Sequence, residues 1–169
     1  YYIGKFNEAI TEYQTAIRLN PNYDEAHNNL GSAYHSLGKF NEAITEHQIA
    51  IRLNPNFARA HYNLGIDLIA LGRLKEAIVE YQQAINLDPS FAPAYVNLGL
   101  TYLDLGNLSE ASKNLKKGLS LQPDLLNRLP PEIRETIKKI IGSSNPIRSS
   151  SPVSRQDTDT RRINGRAAS

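Results

Sequence analysis

A period of 34 residues runs through most of the sequence and constrains its fold more than any other feature. The residues that keep this spacing are Pro21, Pro55, Pro89 and Pro123, then Gly4, Gly38, Gly72 and Gly106, and Ala9, Ala43, Ala77 and Ala111. An Asn-Leu-Gly triplet with the same period ends at Gly31, Gly65 and Gly99. Because several residue types keep one register, the sequence predicts an array of stacked units, each contacting only its neighbours.

Apolar residues within each unit follow helical spacing. Leu64, Leu68 and Leu71 stand at i, i+4 and i+7, and a second helical run begins at Leu74, just after Gly72. Glycine suits a left-handed helix C-cap, and proline ends a helix because it forces the preceding residue out of the α region. Each unit is therefore predicted to be helix, Gly turn, helix, Pro turn. The residues predicted to cap the next helix follow the prolines and are Asn22, Asn56, Ser90 and Asp124.

The fixed positions of each unit resemble the signature of the tetratricopeptide repeat family: a large residue, Leu-Gly, Tyr, Ala, an aromatic residue, Ala and Pro. In one unit these positions hold His61, Leu64, Gly65, Leu68, Ala77, Tyr81, Ala84 and Pro89. The resemblance covers residues 1–125 and implies an all-α fold, a right-handed α-solenoid of helix-turn-helix repeats. It departs from the family pattern where His27, His61 and His47 replace bulky aromatic residues.

The resemblance divides the chain into segments. We expect the C-terminal half of a truncated repeat at 1–22, repeats at 24–57, 58–91 and 92–125, a capping helix at 126–142, and a Ser/Arg-rich tail at 143–169 that is predicted to be disordered. Because the first unit lacks its leading helix and the chain contains no methionine, we expect a fragment of a longer protein.

The stretch from Pro131 to Ile141 is predicted to form a short amphipathic helix, and its apolar side is formed with the preceding Leu129 by Ile133, Ile137, Ile140 and Ile141. Two interpretations are open. The helix is a regulatory element that folds back into the groove of the array, or it is the cap that covers the last apolar face. We favour the cap.

Charge and composition exclude several classes of protein. Five arginines in residues 143–169 outweigh two aspartates, whereas residues 1–142 carry 14 basic and 15 acidic side chains. The basic pI thus belongs to the tail, and nucleic-acid binding by the array is not expected. With no apolar run of about 18 residues, no membrane-spanning helix is predicted, and we expect a cytoplasmic location. Any targeting signal upstream of Tyr1 would lie outside this sequence.

The sequence indicates neither catalysis nor a cofactor. It has no cysteine, no phosphate-binding glycine motif and no strand pattern to carry one. His27 and His61 occupy equivalent core-type positions in neighbouring units. Neither has a carboxylate at ligand spacing in the sequence, so we predict that they pack structurally and bind no metal.

The family resemblance implies a concave groove lined by the first helix of each unit, at unit positions 2, 5, 6, 9, 12 and 13. In the unit 24–57 these residues are Glu25, Asn28, Asn29, Ser32, His35 and Ser36. In the next unit they are Arg59, Tyr62, Asn63, Ile66, Ile69 and Ala70, and in the third Pro93, Val96, Asn97, Leu100, Leu103 and Asp104. The groove is predicted to be polar at its N-terminal end and apolar at its C-terminal end. The apolar row would accept an amphipathic helix, a second copy of the array, or the chain's own helix at 131–141.

Asn29, Asn63 and Asn97 repeat on that predicted face. They resemble the asparagine ladder in the repeat arm of O-linked N-acetylglucosamine transferase, which holds extended protein substrates. The alternative is that these side chains only fix helix packing.

A second family feature is missing. Chaperone-binding members hold a C-terminal carboxylate with lysine and asparagine at unit positions 5 and 9. No lysine stands at these positions here, so a chaperone tail is not the expected partner.

Taken together, the sequence predicts a non-catalytic protein-interaction scaffold that binds a peptide or a partner helix in its groove. The main alternative is the substrate-recruiting arm of a larger enzyme, such as a protein O-glycosyltransferase. A third hypothesis, RNA binding through the Arg-rich tail, predicts an affinity that falls steeply with salt.

Overall fold

The computed structural model describes residues 2–143, with the side chains of residues 4–142. The α-helices in this part of the chain are α1 (Tyr2–Leu19), α2 (Asp24–Ser36), α3 (Phe40–Leu53), α4 (Ala58–Ala70), α5 (Leu74–Leu87), α6 (Ala92–Asp104), α7 (Leu108–Leu121) and α8 (Pro131–Ser143). A 3-10 helix at Pro123–Arg128 precedes α8. The tail predicted at 143–169 lies, beyond its first residue, outside the described part.

Helix pairs α2/α3, α4/α5 and α6/α7 form the units, and α1 packs on α2 as the second helix of a preceding unit. Gly38, Gly72 and Gly106 join the helices of each pair and have φ between 72° and 74°. This left-handed conformation penalises any residue with a Cβ, which explains glycine at these three positions of the period. Gly4, the first member of the period, instead lies within α1. The all-α helix-turn-helix array predicted from the 34-residue period is confirmed.

The turns between units differ from the prediction. The N-cap residues are Tyr23, Phe57 and Phe91, and their side chains make no capping hydrogen bond. The side chain before each proline instead accepts a hydrogen bond from the backbone N–H two residues later. These pairs are Asn20 with Asn22, Asn54 with Asn56, and Asp88 with Ser90. Such Asx turns engage the backbone before the helix starts. The predicted caps at Asn22, Asn56 and Ser90 are therefore wrong, and Asp124 lies within the 3-10 helix.

Close contact within each unit depends on the glycine of the Asn-Leu-Gly triplet. A Cβ on Gly65 would lie 2.5 Å from Cε1 of Tyr81, and one on Gly31 would lie 2.7 Å from Nε2 of His47. Alanines of the second helices are completely buried: Ala43, Ala50, Ala77, Ala84 and Ala111. Small residues thus let the paired helices approach closely, and one large ring or side chain fills the space beside them.

The end of the array is covered by α8, which packs on α7. Ile137 is fully buried and forms one apolar cluster with Leu115 and Val96. Leu129, Ile133 and Ile141 pack around this cluster, as their apolar stripe indicates. Among the helices of residues 2–143, none is long and apolar enough to cross a membrane.

Candidate functional site

A row of adjoining cavities follows the first helices α2, α4 and α6, and we call this row the groove. Within the described residues the row contains four cavities, counted here from the end near Glu25 to the end near Leu100. Neighbouring cavities share lining residues: Asn29 borders the first and second, Ser32 the second and third, and Ile66 the third and fourth. The predicted groove residues that line these cavities are Glu25, Asn28, Asn29, Ser32, His35, Ser36, Arg59, Asn63, Ile66, Ile69, Asn97, Leu100 and Asp104. Spacing along one helix face thus brings most of the predicted residues together.

Unit position 5 is an exception, because its side chains face the next unit. Asn28 is 3% exposed and accepts a hydrogen bond from Asn63 of the next unit (2.9 Å). Tyr62 likewise accepts one from Asn97 (3.2 Å). Val96 is 4% exposed and packs in the cluster with Ile137 of α8. We therefore correct Val96 to a core residue, and Asn28 contributes only the margin of a cavity.

The contact between Val96 and Ile137 also indicates which helix of a further repeat unit has its place taken by α8. In each preceding unit the position-5 side chain meets the first helix of the following unit, and Val96 meets α8. Helix α8 thus lies where the first helix of another unit would stack. This is the location expected of a cap, at the end of the groove.

The asparagines at unit position 6 bind across unit boundaries. The side-chain NH₂ groups of Asn63 and Asn97 donate to Asn28 and Tyr62 of the preceding units. Asn29 is exposed and accepts a long hydrogen bond from Asn28 (3.4 Å). The donors of Asn63 and Asn97 therefore connect units, as the packing interpretation predicts, while Asn97 and Asn63 still border the cavities.

An ionic cluster that the sequence analysis missed lies beneath the groove. Asp67 of α4 is fully buried, with Oδ1 2.6 Å from Nδ1 of His35 and Oδ2 2.6 Å from Nδ1 of His47. The other ring nitrogen of His47 lies 3.2 Å from the backbone carbonyl of Asn28. The side chain of His35 is 35% exposed and borders a cavity of about 200 Å³.

A sequence signal for this cluster exists in the repeat itself. The positions equivalent to Asp67 hold Ala33 and Thr101, both small. His47 replaces the residue that is Tyr81 in the next unit. An acid at a small buried position, together with a histidine at an aromatic one, indicates a compensating pair.

His27 and His61 each have a carboxylate partner that the sequence analysis did not identify. Nδ1 of His27 lies 2.7 Å from Glu46, and Nδ1 of His61 lies 2.7 Å from Glu80. The acids come from the second helix of the same unit, 19 residues later, which sequence spacing within one helix does not reveal. Among the described side chains, no group of three or more His, Cys, Asp or Glu residues could hold a metal ion.

Burial affects the tyrosines between the second and third units. It raises the pKa of the Tyr62 hydroxyl, which the hydrogen bond from Asn97 lowers to a smaller extent. Burial also raises the pKa of Tyr81, reinforced by the nearby Tyr62. Tyr62 packs edge-to-face on Phe91, with ring centroids 4.9 Å apart. This junction is therefore aromatic and apolar, in contrast with the ionic junction around Asp67.

Family models match this geometry in sequence. A model described as "TPR repeat" matches residues 1–38, 31–66 and 67–106, and one described as "Tetratricopeptide repeat" matches residues 92–125. The chain belongs to the tetratricopeptide repeat (TPR) family. No curated protein matches the TPR chain in sequence.

Solved structures of similar fold include MamA and a TPR domain of RPAP3. A crystal structure of MamA is 28% identical, with a TM-score of 0.69, covering 82% of this chain and 86% of that one. The first TPR of Spaghetti (RPAP3), bound to the HSP90 peptide SRMEEVD, is 30% identical with a TM-score of 0.59, covering 61% and 82% of the two chains. MamA 41-end from Desulfovibrio magneticus RS-1 shares the fold at 23% identity and a TM-score of 0.65, covering 73% and 70%.

Proposed function

We propose that this TPR array is a non-catalytic interaction module that binds an extended peptide segment of a protein partner along the groove. The observation that carries the proposal is the unbroken row of cavities along α2, α4 and α6, lined by side chains with solvent-accessible polar and apolar groups. The RPAP3 structure, which contains a bound peptide, supports a peptide as the class of ligand. A groove formed by the folded array requires little ordering on binding, which favours affinity.

The chemistry of the groove changes along its length. Glu25 and Arg59 border its N-terminal cavity with opposite charges. Ile66, Ile69 and Leu100 border its C-terminal cavity of about 240 Å³, next to Asp104. We therefore propose a ligand with polar residues toward one end and an apolar side chain toward the other.

The same groove does not favour an acidic chaperone tail. Unit positions 5 and 9 hold Asn28 with Ser32, Tyr62 with Ile66, and Val96 with Leu100, none of which is basic. Two of the position-5 side chains are also buried between units. A carboxylate clamp of the kind expected for the family thus lacks both its charge and its access here.

Selection of peptides from a random display library against the full chain tests this proposal. Selected peptides should lose binding to a double variant, Arg59→Glu with Asp104→Lys, because both side chains are exposed and border groove cavities, whereas the predicted groove residue Leu103 borders none of them. Helical content measured by circular dichroism should remain. Val79→Asp is the matched control, since Val79 lies on the second helix α5 and is 55% exposed. Unchanged binding to the double variant, or equal loss with Val79→Asp, would refute groove binding.

A further inference from the structure

We propose that the cavity above Asp67, between the units 24–57 and 58–91, is a subsite for an arginine side chain of the bound peptide. This inference rests on the proposed function, because it assigns the chemistry of one residue of that peptide. The cavity is bordered by Ser32, Ser36, His35, Asn63 and Ile66, with His47 and Asp67 beneath.

The polar side chains around this cavity have their donors directed elsewhere. The hydroxyl of Ser32 donates to the backbone carbonyl of Asn28 (3.1 Å), and that of Ser36 donates to the carbonyl of Ser32 (3.0 Å). The NH₂ group of Asn63 donates to Oδ1 of Asn28 (2.9 Å) and also to the hydroxyl oxygen of Ser32 (3.4 Å), which keeps one further lone pair. What these groups retain for a ligand is acceptor capacity: hydroxyl lone pairs and the carboxamide oxygen of Asn63.

His35 adds a further acceptor. A carboxylate only accepts hydrogen bonds when ionised, so Nδ1 of His35 carries the proton that it donates to Asp67. Both ring nitrogens of His47 face oxygen acceptors, Asp67 on one side and the carbonyl of Asn28 on the other. With its Nδ1–H directed at Asp67, the neutral ring of His35 carries its lone pair on Nε2, which has no hydrogen-bond partner among the described residues.

A site that offers only acceptors selects a ligand group that offers only donors. Arginine meets this requirement, because its planar guanidinium carries five N–H donors and no acceptor. Among the described residues, no lysine or arginine side chain borders this cavity. The described side chains that line the other groove cavities include two acids, Glu25 and Asp104, and one base, Arg59, so their charge also favours a basic ligand.

The next unit junction provides an internal comparison. The positions of His35, His47 and Asp67 are occupied there by Ile69, Tyr81 and Thr101. That junction retains a cavity but replaces the imidazole at its edge by an isoleucine. The arginine subsite therefore distinguishes this junction from the next one, and this difference sets the register of a bound peptide.

A matched pair of probes tests the subsite on the full chain. The peptides are Ac-Ala-Ala-Arg-Ala-Ala-NH₂ and its citrulline analogue, which has nearly the same shape but no charge and carries an acceptor oxygen. In an NMR titration we expect the arginine peptide to bind at least about tenfold more tightly, with shifts centred on Ser32, Ser36 and Asn63. Equal affinities, shifts centred elsewhere, or tighter binding of a glutamate analogue would overturn the proposal.

Two variants exclude a folding artefact. His35→Ile introduces the residue of the next unit, and Ser36→Ala removes one acceptor without touching the ionic cluster. Both should reduce the preference for arginine over citrulline at least threefold while circular dichroism stays unchanged. Leu103→Ala, at the position equivalent to His35 in the third unit, should leave the ratio unchanged. A ratio insensitive to both subsite variants would assign the preference to another part of the groove and refute the subsite.

The outcomes separate this inference from the proposed function. If library peptides bind the groove but the ratio of arginine to citrulline affinity is one, the subsite is wrong and the groove stands. If neither library peptides nor the two probes bind, the proposed function itself fails.

Discussion

Nδ1 of His47 lies 2.6 Å from Oδ2 of Asp67, and both side chains are enclosed between two consecutive TPR units. The next junction places Tyr81 and Thr101 at the same two positions. Burying an ion pair in place of apolar residues of similar size usually gains no stability, because desolvation offsets the attraction. We therefore expect the pair to add little net stability, and its position beside an open cavity agrees with the subsite proposed for this junction.

Replacing Asp67 with alanine should destabilise the array strongly. It removes the acceptor shared by His35 and His47 and leaves two Nδ1–H donors, one of them on a buried ring, without their partner. Removing one partner of such a buried pair costs about 3–5 kcal/mol. Urea unfolding followed by circular dichroism should show this loss, whereas Thr101→Ala, at the equivalent position, should lose only about 1 kcal/mol.

Replacing the ionic cluster with the residues of the next junction should restore the free energy of unfolding that Asp67→Ala loses. We expect a triple variant, His35→Ile with His47→Tyr and Asp67→Thr, to be at least as stable as the parent chain, since it replaces the ionisable side chains with an uncharged set already present in this fold. Urea unfolding followed by circular dichroism measures the stability of both variants. A triple variant as unstable as Asp67→Ala would mean that the ionic cluster is a structural requirement of this junction.

Gly65→Ala should destabilise the array by about 1–3 kcal/mol, because the new Cβ would lie 2.5 Å from the buried ring of Tyr81. Gly4→Ala is the matched control. Nothing lies within 4 Å of a Cβ at Gly4, which is exposed in α1, so this change should stabilise by about 0.5–1 kcal/mol. Thermal melts of the two variants should therefore shift in opposite directions. Melts that shift in the same direction would contradict the proposed tight contact at Gly65.

Most of the fold follows from the sequence because each feature of the repeat has a local cause. Gly38 recurs because its φ of 73° excludes other residues, and Gly31 recurs because the ring of His47 lies against it. The groove residues follow from helical spacing along one face, which holds for Ser32 and Ile66.

What the sequence does not reveal is contact between units. The prediction placed Val96 in the groove, because its position on α6 does not show that α8 stacks over it. The pairing of His27 with Glu46 joins two helices of a unit, and that of His35 with Asp67 joins two units. The distance between the two side chains of each pair depends on the angle at which their helices cross, and the periodicity of the sequence does not specify that angle.

Ile137→Ala should loosen the C-terminal end of the array. Ile137 is fully buried against Leu115 and Val96, so its truncation should cost about 2–5 kcal/mol. Hydrogen exchange should accelerate most in α7 and α8 and least in α2, since stability in such arrays depends on nearest neighbours. Lys138→Ala should have little effect, because its salt bridge with Glu135 is exposed. Uniform acceleration across all units would show that α8 does not act as a local cap.

The buried tyrosines predict a loss of stability at alkaline pH. Burial raises the pKa of Tyr62 and Tyr81 above the value of about 10 for an unfolded chain. A group whose pKa is raised by folding contributes stability that is fully present below pH 10 and is lost as the pH rises through its folded value. Stability should therefore decline above about pH 10 and less steeply in Tyr81→Phe, which removes one of these ionisations. Tyr23→Phe, at an exposed tyrosine (41%), should keep the slope of the parent chain. Urea midpoints measured between pH 8 and about 11.5 provide the comparison, and identical slopes for both variants would show that ionisation of Tyr81 does not limit alkaline stability.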